Sequence, residues 1–205
     1  MSPRRIIVAI TGASGAIYGI RTLELLRALP GVETHAIITS GARRTLAYET
    51  SADVDSVAEL ADVTHHEDDM AASISSGSFR TDGMIVAPCS IKTLSGIANS
   101  YDDNLVVRAA DVCLKERLRL VLLVRETPLH MTHLRLMTEV VSAGALVVPP
   151  VPAFYQLPTS VDDIVNQTVG RVLDLFDLDS DVVRRWEGGR VAARNARRIR
   201  ALGSS

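Results

Sequence analysis

The chain has 205 residues, 47% apolar and 22% charged, with a formal charge of −2. That is length enough for one domain with a sizeable core, and the near-neutral balance gives no general attraction to nucleic acid or to an anionic membrane. No apolar run approaches the roughly 18 residues of a membrane span, and Cys89 and Cys113 stand in no CxxC arrangement, which argues against a disulfide scaffold and a structural zinc site and for a reducing, cytoplasmic setting.

Taken in order, Arg5–Thr11 reads as a strand ending in the glycine-rich turn Gly12-Ala13-Ser14-Gly15. The apolar stretch after Arg4-Arg5 is broken too early by Thr11-Gly12 to serve as a targeting segment. A helix follows over Ala16–Leu29 and is stopped by Pro30-Gly31. Glu33–Thr39 is the second strand, ending in Ser40-Gly41, and Ala42–Glu49 is the second helix. This repetition opens an α/β fold: a single doubly wound, mostly parallel sheet, Rossmann- or flavodoxin-like, with helices on both faces.

Asp53–Ser78 predicts an irregular excursion with helical fragments, in which His65–Asp69 is a solvated loop. Gly83–Ala87 is a strand closed by Pro88, Ser90-Ile91-Lys92-Thr93 starts a helix to Ala98, and Asn99–Asn104 is a turn. Arg108–Pro128 then reads as a helix, a short turn, the buried strand Leu120–Val124 and a polar stop at Arg125-Glu126-Thr127-Pro128. Met131–Ala143 is a helix, Ala145–Val148 a strand, and Pro149–Pro158 a proline-rich loop holding Phe154 and Tyr155. A last helix, capped by Thr159 or Ser160, runs to about Leu175. Residues 1–189 are expected to form one domain of five or six β/α units. Residues 190–205 form a basic tail, expected to be flexible, at the end of a region with seven arginines between Arg184 and Arg200.

In an open parallel sheet ligands bind outside the carboxyl ends of the strands, so the polar residues there are the candidates. Gly12–Gly15 joins a strand to a helix, where backbone N–H groups and the helix dipole favour an anion; the alternative is a tight turn without a ligand. The spacing is not GxGxxG, and Thr39-Ser40 stands where a dinucleotide site wants an acid, which suits phosphate or flavin better than NAD. Ser90–Thr93 repeats the arrangement, with plain N-capping by Ser90 and a solvated Lys92 as the other reading. Arg125-Glu126 is a ligand-facing pair or a surface ion pair. Tyr155 is held at a strand end or packs over the sheet edge. Arg171, among Val169, Val172 and Leu173, meets an anion or snorkels to solvent. Cys89 reads as a small hydrophobe rather than a nucleophile, and His130 and His133 lack the further ligands a metal needs.

Five separated segments, TGASGAIYG, PCSIKTLSGIA, NLVVRAADVCLKER, VRETPL and PPVPAFY, resemble in order the motifs of the UbiX-like flavin prenyltransferases, from about Arg5 to Trp186. The resemblance implies a metal-independent enzyme that joins a dimethylallyl group from dimethylallyl phosphate to N5 and C6 of reduced FMN. Phosphate is released, and the prenylated FMN serves UbiD-like decarboxylases. It also implies a homododecamer. By the family pattern, Gly12, Ala13, Ser14, Ser40, Ser90, Ile91, Lys92, Thr93 and Arg125 hold FMN. Lys115, Arg125, Tyr155 and Arg171 hold the prenyl phosphate, and Ser14, Glu49, Glu126 and Trp186 fall on active-site positions. Gly41 departs from the pattern, standing where a lysine is frequent. A non-catalytic FMN carrier subunit of an aromatic acid decarboxylase is the alternative; a cysteine decarboxylase would want a histidine that Ala42–Glu49 does not contain.

One expectation is geometric. Lys115 ends a helix antiparallel to Leu120–Val124, and a strand of that length spans about 17 Å. Lys115 and Arg125 of one chain therefore belong to opposite edges of the sheet. If both grip one phosphate, the lysine comes from a neighbouring subunit.

Overall fold

The computed structural model describes residues 3–183 and residue 185; Trp186 and the tail 190–205 lie outside the described residues. Six strands, β1 (Arg4–Ile10), β2 (Val32–Ile38), β3 (Val63–His65), β4 (Gly83–Cys89), β5 (Arg119–Val124) and β6 (Leu146–Val147), form one sheet in the order β3-β2-β1-β4-β5-β6. Every neighbouring pair is parallel. The helices are α1 (Ala16–Arg27), α2 (Ser40–Glu49), α3 (Val54–Ala58), α4 (Ile91–Ala98), α5 (Leu105–Lys115), α6 (Met131–Ala143) and α7 (Val161–Asp174).

Alternation along the strands makes two cores. Ile6, Val8 and Ile10 of β1 pack with Leu23 and Leu26 of α1, Leu46 of α2 and Val165, Val169 and Val172 of α7. Ile7 and Ala9 face the other way, toward Leu94 and Ile97 of α4, Ala109 and Ala110 of α5, and Leu136 and Val140 of α6. Each fully buried large aliphatic side chain contributes about 1.5–3 kcal/mol of transfer free energy. The two cores together hold a sheet with little backbone exposed on either face. The chain winds outward from β1 in one direction through β2 and β3 and in the other through β4 to β6. The crevice between β1 and β4 at their carboxyl ends is the switch point where such folds bind ligands.

Local signals account for the helix starts at this edge. Thr39, Ser90 and Asn104 each cap the helix that follows, their side chains accepting from the N–H three residues on. At α7, Ser160 and Asp163 form a reciprocal capping box. The exception is α1, which starts from Gly15 in the left-handed region (φ 101°) with no side-chain cap of its own.

Three expectations are corrected. Pro88 does not close β4: the strand runs on to Cys89 through a cis Ala87–Pro88 bond. Its pairing with β5 shifts register between Val86 and Cys89, a place where a missing N–H is tolerated. The excursion 53–78 contains a genuine edge strand, β3, paired with β2. His65–Asp69 is not simply a solvated loop. His65 is half-buried in β3, where its Nε2 lies 2.9 Å from Nδ1 of the buried His35.

Candidate active site

Four strand ends and three helix starts meet at the switch point. Thr11 joins the two innermost strands, its hydroxyl donating to Pro88 O (2.7 Å) and accepting from Ser90 N (2.9 Å). Thr39 N donates to Ile10 O at 3.1 Å, drawing the start of α2 against the end of β1. A Cβ on Gly12 would lie 3.0 Å from Gly41 Cα, and one on Gly41 would lie 3.1 Å from Gly12 Cα. Two glycines back to back thus allow the β1–α1 turn and the first turn of α2 to touch. The result is a cleft of about 250 Å³ lined by Gly12, Ser40, Gly41 and Arg44 on one side and Ser90, Lys92, Thr93 and Asn104 on the other. The first-turn N–H groups of α2, α4 and α5 have no acceptor within their own helices, and their dipoles favour an anion. Hydroxyls, backbone donors and the cations Arg44 and Lys92 make a donor set that fits a phosphate monoester.

Glu49 stands beside the cleft, at the start of α1. From the last turn of α2 its Oε2 accepts from Gly15 N (2.8 Å) and Ala16 N (3.1 Å), supplying the cap that α1 lacks. Partial burial pushes the Glu49 carboxyl up, but the Ser14 hydroxyl, the Gly15 and Ala16 N–H groups and the charge of Arg125 outweigh it and hold the group below its ordinary value. Ser14, Glu49 and Arg125 are therefore one electrostatic unit. Arg125 leaves the end of β5 with its N–H on Cys89 O (3.1 Å). Glu126 turns back onto its own loop, Oε1 accepting from Thr127 N at 3.0 Å.

Gly12, Ala13, Ser14, Ser40, Ser90, Ile91, Lys92, Thr93, Glu49, Arg125 and Glu126 thus all stand at the carboxyl edge. Lys92 is 81% exposed, with Asp103 at 3.7 Å. Tyr155 sits in a short 3₁₀ turn, Phe154–Gln156, and is 53% exposed. Lys115 and Arg171 are elsewhere. Lys115 ends α5 beside Gly77, with Nζ 2.5 Å from Glu116 Oε1. Arg171 lies in the last turn of α7, not at mid-helix, and pairs with Asp174. Just beyond it the chain meets Arg4 at the start of β1, which donates to Phe176 O (2.8 Å). Both cations belong to the amino edge.

Cys89 is fully buried and its thiol is pushed up to about 12 by desolvation, so it is no nucleophile. The His130 and His133 rings lie with centroids 3.5 Å apart, tilted by 30°, and among the described residues no group of three or more His, Cys, Asp or Glu side chains is arranged to hold a metal. Nor is any described helix long and apolar enough to cross a membrane. Sequence reasoning missed Thr11, Arg44, Asn104 and Glu67. The caps have a signal, a hydroxyl or amide before an apolar-periodic run; Glu67 has none.

A parallel sheet wound outward from a polar crevice of this kind defines a nucleotide- or flavin-binding α/β protein, and residues 1–173 match the Flavoprotein family. The flavin prenyltransferase UbiX of Salmonella typhimurium is 60% identical over 187 residues, which cover 90% of this chain and 99% of the relative. A UbiX crystal structure in complex with FMN and dimethylallyl pyrophosphate superposes with a TM-score of 0.89 at 55% identity, covering 91% of this chain and 98% of that one. A dodecameric FMN-dependent UbiX-like decarboxylase from Escherichia coli O157:H7 gives 0.88 at 53% identity, covering 90% and 100%. The chain belongs to the UbiX-like flavin prenyltransferases.

Proposed function

We propose that this chain joins the dimethylallyl group of dimethylallyl phosphate to N5 and C6 of reduced FMN, works in the cytoplasm as a homododecamer, and passes the prenylated flavin to a UbiD-like decarboxylase. The observation that carries the reading is the Ser14–Glu49–Arg125 unit beside a phosphate-type cleft at the switch point. Ser40 and Ser90–Thr93 hold the FMN phosphate. Gly12, Ala13, Ser14, Ile91 and Arg125 would hold the rest of the flavin, and Arg125 would also meet the prenyl phosphate. The reduced flavin supplies the nucleophilic atoms.

In the reaction the allylic C–O bond breaks and its electron pair leaves on the phosphate. Fixed cations stabilise that charge without a metal ion, as preorganised donors do where charge develops. Arg125 supplies one from this subunit, while Lys115, Tyr155 and Arg171 complete the grip. Because Lys115 and Arg171 lie at the amino edge, they serve the site of a neighbouring subunit. Glu49, held ionised, balances positive charge on the allyl fragment, and Glu126 moves a proton to the departing phosphate or from the flavin. Trp186, outside the described residues, is proposed as an active-site residue on the family pattern, and residues 1–189 as the working domain.

Anaerobic incubation with reduced FMN and dimethylallyl phosphate, followed by mass spectrometry, tests this. The expected result is a flavin heavier by one prenyl unit with stoichiometric phosphate. A bound but unshifted flavin overturns the enzyme and leaves a carrier.

A further inference from the structure

The cleft contains an anion of its own. Glu67 follows β3 by two residues and extends its side chain to the start of α2, where Oε1 accepts from Ser40 N at 2.6 Å. Its main chain is held separately, its carbonyl accepting from Leu105 N at the start of α5 at 2.7 Å. One residue therefore bridges the N-termini of two of the three helices that face the cleft. The strand before it is tied to β2 by the His35–His65 contact at 2.9 Å, and the main-chain bond to Leu105 is separate from the one the carboxylate makes.

We propose that Glu67 competes with the flavin phosphate for the N-terminus of α2 and so sets how tightly FMN is held. This rests on the reading of the cleft as the FMN phosphate site. The Ser40 N–H accommodates one close acceptor, and in this structure a carboxylate fills that place. A phosphate dianion entering between Arg44, Ser40 and Lys92 displaces Glu67 or lies against its negative charge; either way binding is weakened. The consequence is useful to an enzyme whose product keeps the phosphate of its flavin substrate. Every donor that tightens FMN equally tightens prenylated FMN, and such uniform binding does nothing for the chemical step. A resident competitor keeps the phosphate grip weak enough for the product to leave.

The test compares wild type with Glu67→Gln, which keeps an amide oxygen able to accept from Ser40 N and removes only the charge. Flavin fluorescence titrations are run with FMN and with riboflavin, and thermal shifts with inorganic phosphate alone. The expected result is FMN binding about three- to tenfold tighter in the variant, the size of one like-charge contact in a partly solvated cleft. Riboflavin binding should be unchanged, and inorganic phosphate should raise the melting temperature more in the variant than in wild type. Unchanged or weaker FMN binding overturns the proposal, as does an equal gain for riboflavin. If wild type binds neither flavin, the FMN reading fails, and the inorganic phosphate arm alone still decides whether Glu67 guards an anion site.

Discussion

The two edges of the sheet carry similar residues in opposite circumstances. At the amino edge cations are matched within the chain: Arg4 with Asp82 (3.0 Å), Arg119 with Asp177 (3.5 Å), Lys115 with Glu116, and Arg171 with Asp174. At the carboxyl edge the donors converge on a cleft, and the carboxylates that meet them are Glu49, which reaches from α2 to the start of α1, and Glu67, which reaches from the loop after β3 to the start of α2. Topology produces the difference. Helix N-termini all point to the carboxyl edge of a parallel sheet, so positive potential gathers there, while the amino edge receives C-terminal turns and neutralises itself with surface pairs. Such exposed pairs are worth about 0–1 kcal/mol each. Lys115 (46% exposed) and Arg171 (55% exposed) can therefore leave their partners for a ligand at little cost. Asp174 keeps Arg185 at 3.0 Å when Arg171 turns away.

The largest effect expected from this division is intersubunit complementation. Arg125→Ala removes a carboxyl-edge cation and Lys115→Met an amino-edge one; each pure oligomer should lose about 10²–10³-fold in turnover, the scale of one lost charge-stabilising donor. If each site takes Arg125 from one chain and Lys115 from another, random 1:1 mixed oligomers should regain about one quarter of wild-type activity, since half of the chains are intact at each contributing position. Turnover of co-expressed, separately tagged chains measures this. No recovery would place both cations in one chain's site and erase the contrast between the edges.

A stability effect of middle size concerns how the carboxyl edge is built. A Cβ at Gly19 of α1 would lie 2.4 Å from the carbonyl oxygen of Ala87 in β4. The obstacle is backbone at the switch point, so Gly19→Ala should cost about 1–3 kcal/mol, as overpacking does, and weaken FMN binding by shifting the Ala87–Pro88 segment. Gly31, in the turn before β2, has φ +77° but no atom within 4 Å of an added Cβ. There Gly31→Ala should cost about 1 kcal/mol of local strain and leave FMN affinity alone. Chemical denaturation and flavin titration of the two variants separate the cases; equal effects on binding would mean the close approach at Gly19 does not position the site.

Much of this was legible in the sequence because the physics involved is local. The apolar run in Arg5–Thr11, the caps at Ser90 and Ser160, and the apolar run stopped by Arg125-Glu126 fix strands, helices and the ligand edge within a few residues of themselves. What was not legible depends on distant partners. Val63–His65 is too short and polar to announce a strand and becomes one through pairing with β2 and the His35 contact. Pro88 reads as a terminator until the register shift that accommodates it is seen. Glu67 is an ordinary loop acid until the fold carries it to Ser40. The separation of Lys115 from Arg125 was readable, because helix direction and strand length alone determine it.

The smallest effect tests the electrostatics of the carboxyl edge through pH. Burial raises the Glu49 carboxyl, but Ser14, the Gly15 and Ala16 N–H groups and Arg125 together outweigh it and hold the group below its ordinary value of 4.5 in the folded chain. A carboxyl with a depressed folded-state value stabilises the fold when ionised. Its contribution is complete above the unfolded-state value near 4.5 and is lost as pH falls through the lower folded-state value. Because Glu49 is largely exposed, solvent screening keeps the amount to roughly 1 kcal/mol or less. Glu49→Gln should therefore be slightly less stable than wild type at pH 7, and the gap should close as the pH is taken well below 4.5, where Glu49 protonates. Paired denaturant titrations across that range measure the gap. A gap that widens toward low pH would reverse the sign and mean that Glu49 is held neutral at the mouth of α1. Its place beside Arg125 would then be that of a proton donor rather than a fixed negative charge.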